Sequence, residues 1–190
     1  MDYITSHAKA IRMNPYEIID KYYSDNPELR KLLITHSQLV TEKALKAASM
    51  HPELKIDVQF VKEAGMLHDI GIFMTDAPAI HCYGKEPYLR HGILGAELMR
   101  KEGFPRRARV CERHTGAGLT AEEIEAQNLP LPHRNFLPET IEEKLVCYAD
   151  KFYSKTHPTQ EKSVEQAIAS LQKFGGDGAA RFEEWVKMFG

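Results

Sequence analysis

The sequence GMLHDIGIF, residues 65–73, places the adjacent pair His68 and Asp69 inside an apolar stretch. A helix is predicted to lead into it, because Asp57 can cap one and apolar residues follow at steps of three and four, namely Phe60, Val61, Ala64 and Leu67. Gly71 is predicted to end this segment. Because a buried carboxylate without a partner is costly in free energy, a helix end that carries an aspartate toward the core needs a reason, such as a cation.

Helix signals recur on both sides of this stretch, whereas strand signals are nearly absent. Asparagine–proline pairs at 14–15 and 26–27 predict the starts of a short helix and of a long one that reaches about residue 50. The proline-rich stretch 128–140 is predicted to be a surface loop. Further amphipathic segments are predicted at 88–102, 105–114, a short one from 120, 141–152, 163–174 and 179–189. The sequence therefore predicts an all-α fold, a bundle of about seven to nine helices.

Length and composition limit the classes of protein to consider. At 190 residues the chain is expected to form a single domain, 1–190. A net charge of −2, with both signs interspersed, gives no support for non-specific binding to nucleic acid or to an anionic membrane. The three cysteines are odd in number and far apart, which favours reduced thiols. Because the chain starts with no apolar signal-peptide run and has no stretch of about 18 apolar residues, we expect a cytoplasmic location.

Histidines and aspartates fall on the apolar faces or at the ends of several predicted helices. Six of these residues stand out: His36, His68, Asp69, His91, His114 and Asp150. One histidine on an apolar face is usually a core residue that donates to a backbone carbonyl, and an aspartate at a helix end is usually solvated or paired. Separate helices that each present such a residue to the interior are harder to explain in that way. Imidazole and carboxylate together suit iron, manganese, zinc or nickel, so the set predicts a metal site.

The order of these residues has a counterpart in a known family. The ordered set resembles the signature of the HD superfamily of metal-dependent phosphohydrolases: His36 first, then His68 and Asp69 within HDIG, then Asp150. HDIG alone is only four residues, but the ordered set is specific. The resemblance implies an HD-type metal core at about 30–155.

Two further segments resemble the two-metal subgroup of this superfamily. They are LRHGILGA around His91 and RHTGAG around His114. This subgroup includes the symmetrical diadenosine tetraphosphate hydrolases, whereas the stretch 128–152 is more similar to small HDIG proteins of archaea and bacteria. The resemblance leaves about 160–190 as a C-terminal helical appendage.

The resemblance also implies a role for each ligand. A first ion would be held by His36, His68, Asp69 and Asp150. A second ion would be bound by His91 and His114, and Asp69 would bridge the two ions. The ions would be divalent transition metals, iron or manganese first, with cobalt, nickel or zinc as alternatives. They would hold a hydroxide between them that attacks phosphorus. Asp69 and Asp150 are the catalytic candidates, because Asp150 can also orient that hydroxide.

A phosphate substrate also needs cationic contacts from the protein. The candidates for substrate binding are Arg90 beside His91, Lys151 beside Asp150, and Arg134 in the proline-rich loop. Adjacent helical positions face about 100° apart, so a solvated surface charge is the competing interpretation for each of them.

We predict a hydrolase that cleaves a phosphate ester or anhydride in a small phosphate-containing, nucleotide-like molecule. No long basic groove for a nucleic-acid polymer is apparent in the sequence, and no membrane partner is expected. Two alternatives stay open: a di-iron oxygenase with the same ligand set, and a non-catalytic module that senses metal or nucleotide. A homo-oligomer is compatible with the sequence.

Overall fold

The computed structural model describes residues 13–190, and nine α-helices account for most of that part of the chain. The predicted all-α class and helix number are confirmed. In chain order the helices are α1 Pro15–Tyr23, α2 Pro27–Met50, α3 Val58–Leu67, α4 His91–Lys101, α5 Pro105–Arg113, α6 Ala121–Ala126, α7 Ile141–Asp150, α8 Val164–Gln172 and α9 Gly178–Phe189. Part of the expectation about a signal peptide falls on residues 1–12, which lie outside the described range. Within that range, none of the helices is long and apolar enough to cross a membrane.

Local side-chain caps explain where several helices begin. The side chain of Asn26 accepts a hydrogen bond from the backbone of Leu29 at 3.1 Å, and Asp57 does the same for Phe60 at 3.0 Å. Helices α6, α7 and α8 each start with a reciprocal capping box, in which a Ser or Thr and a Glu or Gln three residues later satisfy each other's backbone amides. These caps fix the entry of each helix and, with it, the register of its buried face.

The buried apolar residues form two large clusters, one toward each end of the long helix α2. One cluster joins α2, α3 and α7 to the C-terminal helices α8 and α9 through Phe182, Trp185 and Phe189. The other joins the start of α2 to α1, α4 and α5. The three cysteines are buried and unpaired, as their spacing predicts. Helix α9 therefore packs directly on the helix that ends at Asp150, and α8 packs on α9.

A small three-stranded sheet interrupts the helices between α3 and α4. Its strands are β1 Thr75–Ala77, β2 Cys82–Tyr83 and β3 Glu86–Pro87. The order is β2-β1-β3, with β1 antiparallel to β2 and parallel to β3. The sequence did not predict these strands, because two or three residues are too few to show a period of two.

Close helix contacts bring the histidine-bearing segments together. A Cβ on Gly71 would lie 2.3 Å from the carbonyl oxygen of His91 and 2.4 Å from the backbone nitrogen of Gly95. A Cβ on Gly65 would lie 2.4 Å from the side-chain hydroxyl of Thr41. Glycine at these two positions lets the end of α3 approach α4 on one side and α2 on the other.

Candidate metal centre

The six predicted ligands converge at the middle of the bundle. His36 lies within α2, the adjacent pair follows the last residue of α3, His91 opens α4, His114 follows α5, and the last aspartate ends α7. All six side chains are buried, and two of them are completely so: His68 and Asp69. Five helices that pack pairwise thus place these six side chains around one point.

Four of the six form a first compact group. Nε2 of His36 lies 3.0 Å from Oδ1 of Asp150 and 3.1 Å from Oδ2 of Asp69. Nε2 of His68 lies 3.0 Å from the same Asp69 oxygen and 3.4 Å from Oδ1 of Asp150. One donor atom from each of the four residues lies within 4.8 Å of all the others. Two imidazoles and two carboxylates at such distances can bind one divalent cation.

Asp69 also belongs to a second group with His91 and His114. Its other oxygen, Oδ1, lies 3.4 Å from Nε2 of His91 and 3.3 Å from Nε2 of His114. Neither Asp69 oxygen has a partner with hydrogen-bond geometry. The two carboxylate oxygens thus face two different groups, which is the arrangement of a ligand that bridges two ions.

Backbone hydrogen bonds determine which nitrogen of each ring is free. Nδ1 of His68, His91 and His114 each lies 2.7 Å from the carbonyl oxygen three residues earlier. A ring that donates from Nδ1 keeps a lone pair on Nε2, and Nε2 is the atom that points to the centre. The Nε2 atoms of His91 and His114 lie only 3.0 Å apart, so two lone pairs face one another unless a cation lies between them. The residues present therefore fit divalent metal ions.

Burial and charge act differently on the two groups. Burial by itself raises the pKa of Asp69, but the nearby Lys155 ammonium and imidazoles outweigh it and hold that pKa well below its usual range. Burial lowers the pKa of His68, yet the carboxylates of Asp69 and Asp150 outweigh it and raise the pKa to about 9. At His91 burial dominates and lowers the pKa to about 3. The first group therefore attracts positive charge, while the second keeps its imidazoles neutral, the form that binds metal.

Two lysines contact the carboxylates of the centre. Nζ of Lys155 lies 2.6 Å from Oδ2 of Asp69, and Nζ of Lys151 lies 2.8 Å from Oδ2 of Asp150. Lys151 was predicted from its position beside Asp150, whereas Lys155 was missed. No helical spacing links Lys155 to the site, because α7 ends at Asp150 and a turn follows it before residue 155.

A cavity of about 640 Å³ extends from the metal centre to the C-terminal helices. At one end it is lined by His91, His114, Asp150, Lys151 and Lys155. At the other end it is lined by Leu119, Gln127, Leu129, Leu171, Phe174 and Gly175. Its volume falls within the range of roughly 300–1,000 Å³ typical of small-molecule sites. One bound molecule of moderate size can therefore contact both ends.

The other two predicted substrate contacts lie elsewhere. Arg90 pairs with Glu86 at 3.2 Å, and Arg134 pairs with Glu112 at 3.1 Å. Neither arginine lines the cavity. Position beside a ligand in the sequence did not bring Arg90 to the site, because its side chain follows the small sheet, and the proline-rich loop directs Arg134 toward α5. Their substrate roles stay predictions that the geometry does not support.

Known proteins resemble this chain over most of its length. A protein of Picrophilus torridus named tRNA (cytidine(56)-2'-O)-methyltransferase is 35% identical over 150 residues, which cover 78% of this chain and 39% of that protein. A protein of the same name from Thermoplasma volcanium is 32% identical over 149 residues, covering 78% and 38%. An uncharacterised protein of Methanocaldococcus jannaschii is 35% identical over 144 residues, covering 74% and 76%.

The chain spans about two fifths of the length of the methyltransferase-named relatives that it matches. No solved structure matches it significantly. The model of one family, the HD domain, matches residues 33–154, a segment that contains all six clustered histidines and aspartates. The chain therefore belongs to the HD domain family.

Proposed function

We propose that this protein is a metal-dependent phosphohydrolase that cleaves a phosphate ester or anhydride in a small, nucleotide-like molecule. One observation carries the proposal: two buried groups of metal-binding side chains share Asp69 and open into a cavity that lysines also line. Metal ligands alone would fit many reactions. Lysines beside the ligands add the positive charge that phosphate oxygens require.

The donor set agrees with two divalent transition-metal ions. Iron or manganese is the preferred assignment, and cobalt, nickel or zinc are alternatives. Such ions would supply an ionised water at neutral pH and would neutralise charge on phosphate oxygens. Within the described range, neither group contains a cysteine, so no thiolate favours a softer metal. His36, His68, Asp69 and Asp150 would hold one ion, and Asp69, His91 and His114 the other.

The remaining chemistry falls to side chains beside the ligands. Lys155 lies at the bridging carboxylate, so its ammonium can donate to an oxygen of the reacting phosphate. Lys151 is held by Asp150 and by the carbonyl oxygen of His114 at 3.1 Å, which directs it along the cavity wall. Asp150 can accept a hydrogen bond from the attacking water and orient it. Burial of the ligands keeps bulk water from competing for these contacts.

The size of the cavity favours a small molecule over a polymer. The names of two relatives nevertheless raise a second candidate, a phosphate at the end of an RNA strand, because those proteins are named for an activity on tRNA. A strand end could enter the cavity while the rest of the RNA stays outside it. Nothing in the proposal requires a membrane or a second protein.

The proposal is tested by loading the full chain separately with manganese, iron and cobalt, measuring metal content, and assaying phosphate release. The panel should contain mononucleotides, dinucleoside polyphosphates, sugar phosphates and short RNAs with terminal phosphates. We expect release from at least one small molecule, abolished by a strong chelator and restored by metal. Oxygen uptake with an organic substrate, together with no phosphate release from any member of the panel, would show that the oxygenase alternative is correct.

A further inference from the structure

Within residues 13–190, one cation of the cavity wall has no partner. Lys162 lines the same cavity as Lys151 and Lys155, and its side chain is half-buried. The other cations of the cavity wall are paired: Lys151 with Asp150, Lys155 with Asp69, and Arg181 with Glu123. Among the residues that the structure describes, Lys162 forms no ion pair and its ammonium makes no hydrogen bond.

The backbone fixes Lys162 near the metal centre. Its amide donates to the carbonyl oxygen of Phe152 at 2.8 Å, which ties it to the turn that directly follows α7 and Asp150. Ser163, the next residue, is the N-cap of α8 and is held by a capping box. The position of Lys162 is therefore set from both sides and does not depend on a flexible loop.

The charge around Lys162 is unfavourable for an isolated cation. Burial lowers the pKa of Lys162, and the positive charges of Lys151 and Lys173 lower it further, against an opposing effect of the Asp150 carboxylate. The carboxylates that neutralise Lys151 and Lys155 are also candidate metal ligands, so bound ions would leave this end of the cavity strongly positive. A half-buried cation beside other cations is stabilised when an anion binds.

We propose that Lys162 binds a second anionic group of the substrate, next to the phosphate that reacts at the metal centre. The substrate class is thereby narrowed to molecules with at least two neighbouring phosphate groups, such as a nucleoside diphosphate or a longer polyphosphate. This inference rests on the proposed function for the position of the reacting phosphate. Lys162 is a specificity residue in this scheme, since Lys155 and Lys151 already serve the first phosphate.

Binding of two probes separates the first phosphate from the second. Orthophosphate carries one phosphorus, whereas methylene diphosphonate carries two phosphorus groups joined by a bridge that hydrolysis cannot cleave. Affinities for both are measured by calorimetry on the manganese-loaded full chain, with metal content checked after each titration. The variants are Lys162→Met, Lys162→Arg, and Lys144→Met as a matched control, since Lys144 is also half-buried but lies outside the cavity lining.

We expect Lys162→Met to weaken methylene diphosphonate binding about tenfold, because a hydrogen bond to a charged group contributes at least about 1.5 kcal/mol. Orthophosphate binding should change less than about twofold, Lys162→Arg should retain most of the affinity, and Lys144→Met should have no effect. Equal weakening of both probes, or of neither, would overturn the inference. If Lys162→Met releases phosphate from the panel as fast as the wild-type protein does, the inference about Lys162 is overturned while the proposed function stands. If diphosphonate binding depends on Lys162 but no compound of the phosphate-release panel is hydrolysed, the inference about Lys162 is supported and the proposed function is wrong.

Discussion

The two ends of the cavity are built in different ways. At the metal end, three of the four buried imidazoles have their Nδ1 atoms held by backbone carbonyls, and Lys151 and Lys155 are each held by a carboxylate. At the C-terminal end, the wall is largely apolar apart from the Arg181–Glu123 pair and Gln127, and Phe174 is 71% exposed. The carboxamide of Gln127 makes no hydrogen bond to any described residue.

This difference separates two tasks. The metal end holds its donor atoms through backbone hydrogen bonds and ion pairs, as the proposed attack on phosphorus would require. The C-terminal end offers mainly apolar surface, which suits an apolar or planar part of a substrate. Changes at the metal end should therefore affect whether the reaction occurs, and changes at the C-terminal end should affect which molecule reacts.

Asp69→Ala should have the largest effect, because it removes a ligand from both groups at once. We expect bound metal to fall from about two ions per chain to nearly none. Phosphate release should fall by more than about 10³-fold, since even one lost transition-state contact costs 10²–10³. Metal analysis and a phosphate assay measure the two effects, and circular dichroism should still show a helical fold. Asp76→Ala, on the exposed side of the small sheet, is the control. Full metal content in Asp69→Ala would rule out the bridging role.

His114→Ala should affect only the second group. The expected metal content is about one ion per chain, with the first group retained, and activity should fall about 10²-fold. His133→Ala, an exposed histidine in the proline-rich loop, should change neither quantity. If fully loaded wild-type protein binds a single ion, the division into two groups is wrong.

Lys155→Met tests whether the metal end also contains a direct contact to phosphate. We expect activity to fall about 10²-fold while metal content is unchanged, because the proposed role of the ammonium is to contact substrate oxygens and not to bind a metal ion. Lys155→Arg should restore part of the activity. Lys85→Met, at an exposed position, is the control. Loss of metal in Lys155→Met would instead assign this lysine to the support of Asp69.

Phe174→Ala should have the smallest effect, at the opposite end of the cavity. Stacking of a base on an aromatic ring contributes about 1 kcal/mol or more, so KM for a nucleotide should rise about fivefold. The kcat value should stay unchanged, as should KM for ribose 5-phosphate, which has no base. Tyr83→Ala, also about 70% exposed but outside the cavity lining, is the matched control. A fall in kcat alone would contradict the division of tasks between the two ends.

The sequence was informative where one helix determines the outcome. Asn26 and Asp57 cap their helices as predicted, since a cap depends on residues only three positions apart. The convergence of the six buried side chains was also predicted, because a polar side chain on the apolar face of a helix is directed into the interior of the protein. Which ion each of them holds stays a prediction.

The features that the sequence did not predict all depend on how the chain folds back. Lys155 and Lys162 reach the cavity through a turn after α7, which has no periodic pattern. Arg90 was placed at the site because it precedes His91, but a step of one residue directs it away, into a pair with Glu86. A residue that is adjacent to a candidate ligand in the sequence therefore need not line the cavity.

The turn that ties Lys162 to Phe152 has an evolutionary consequence. Residues matched by the family model end at 154, so the metal ligands fall inside the shared segment, and Lys162 and Phe174 fall outside it. Mutations in the C-terminal helices can remodel the far wall of the cavity without disturbing a single metal ligand. Members of one family could in this way come to bind different molecules through changes in the 36 residues after position 154, while the clustered histidines and aspartates are inherited intact.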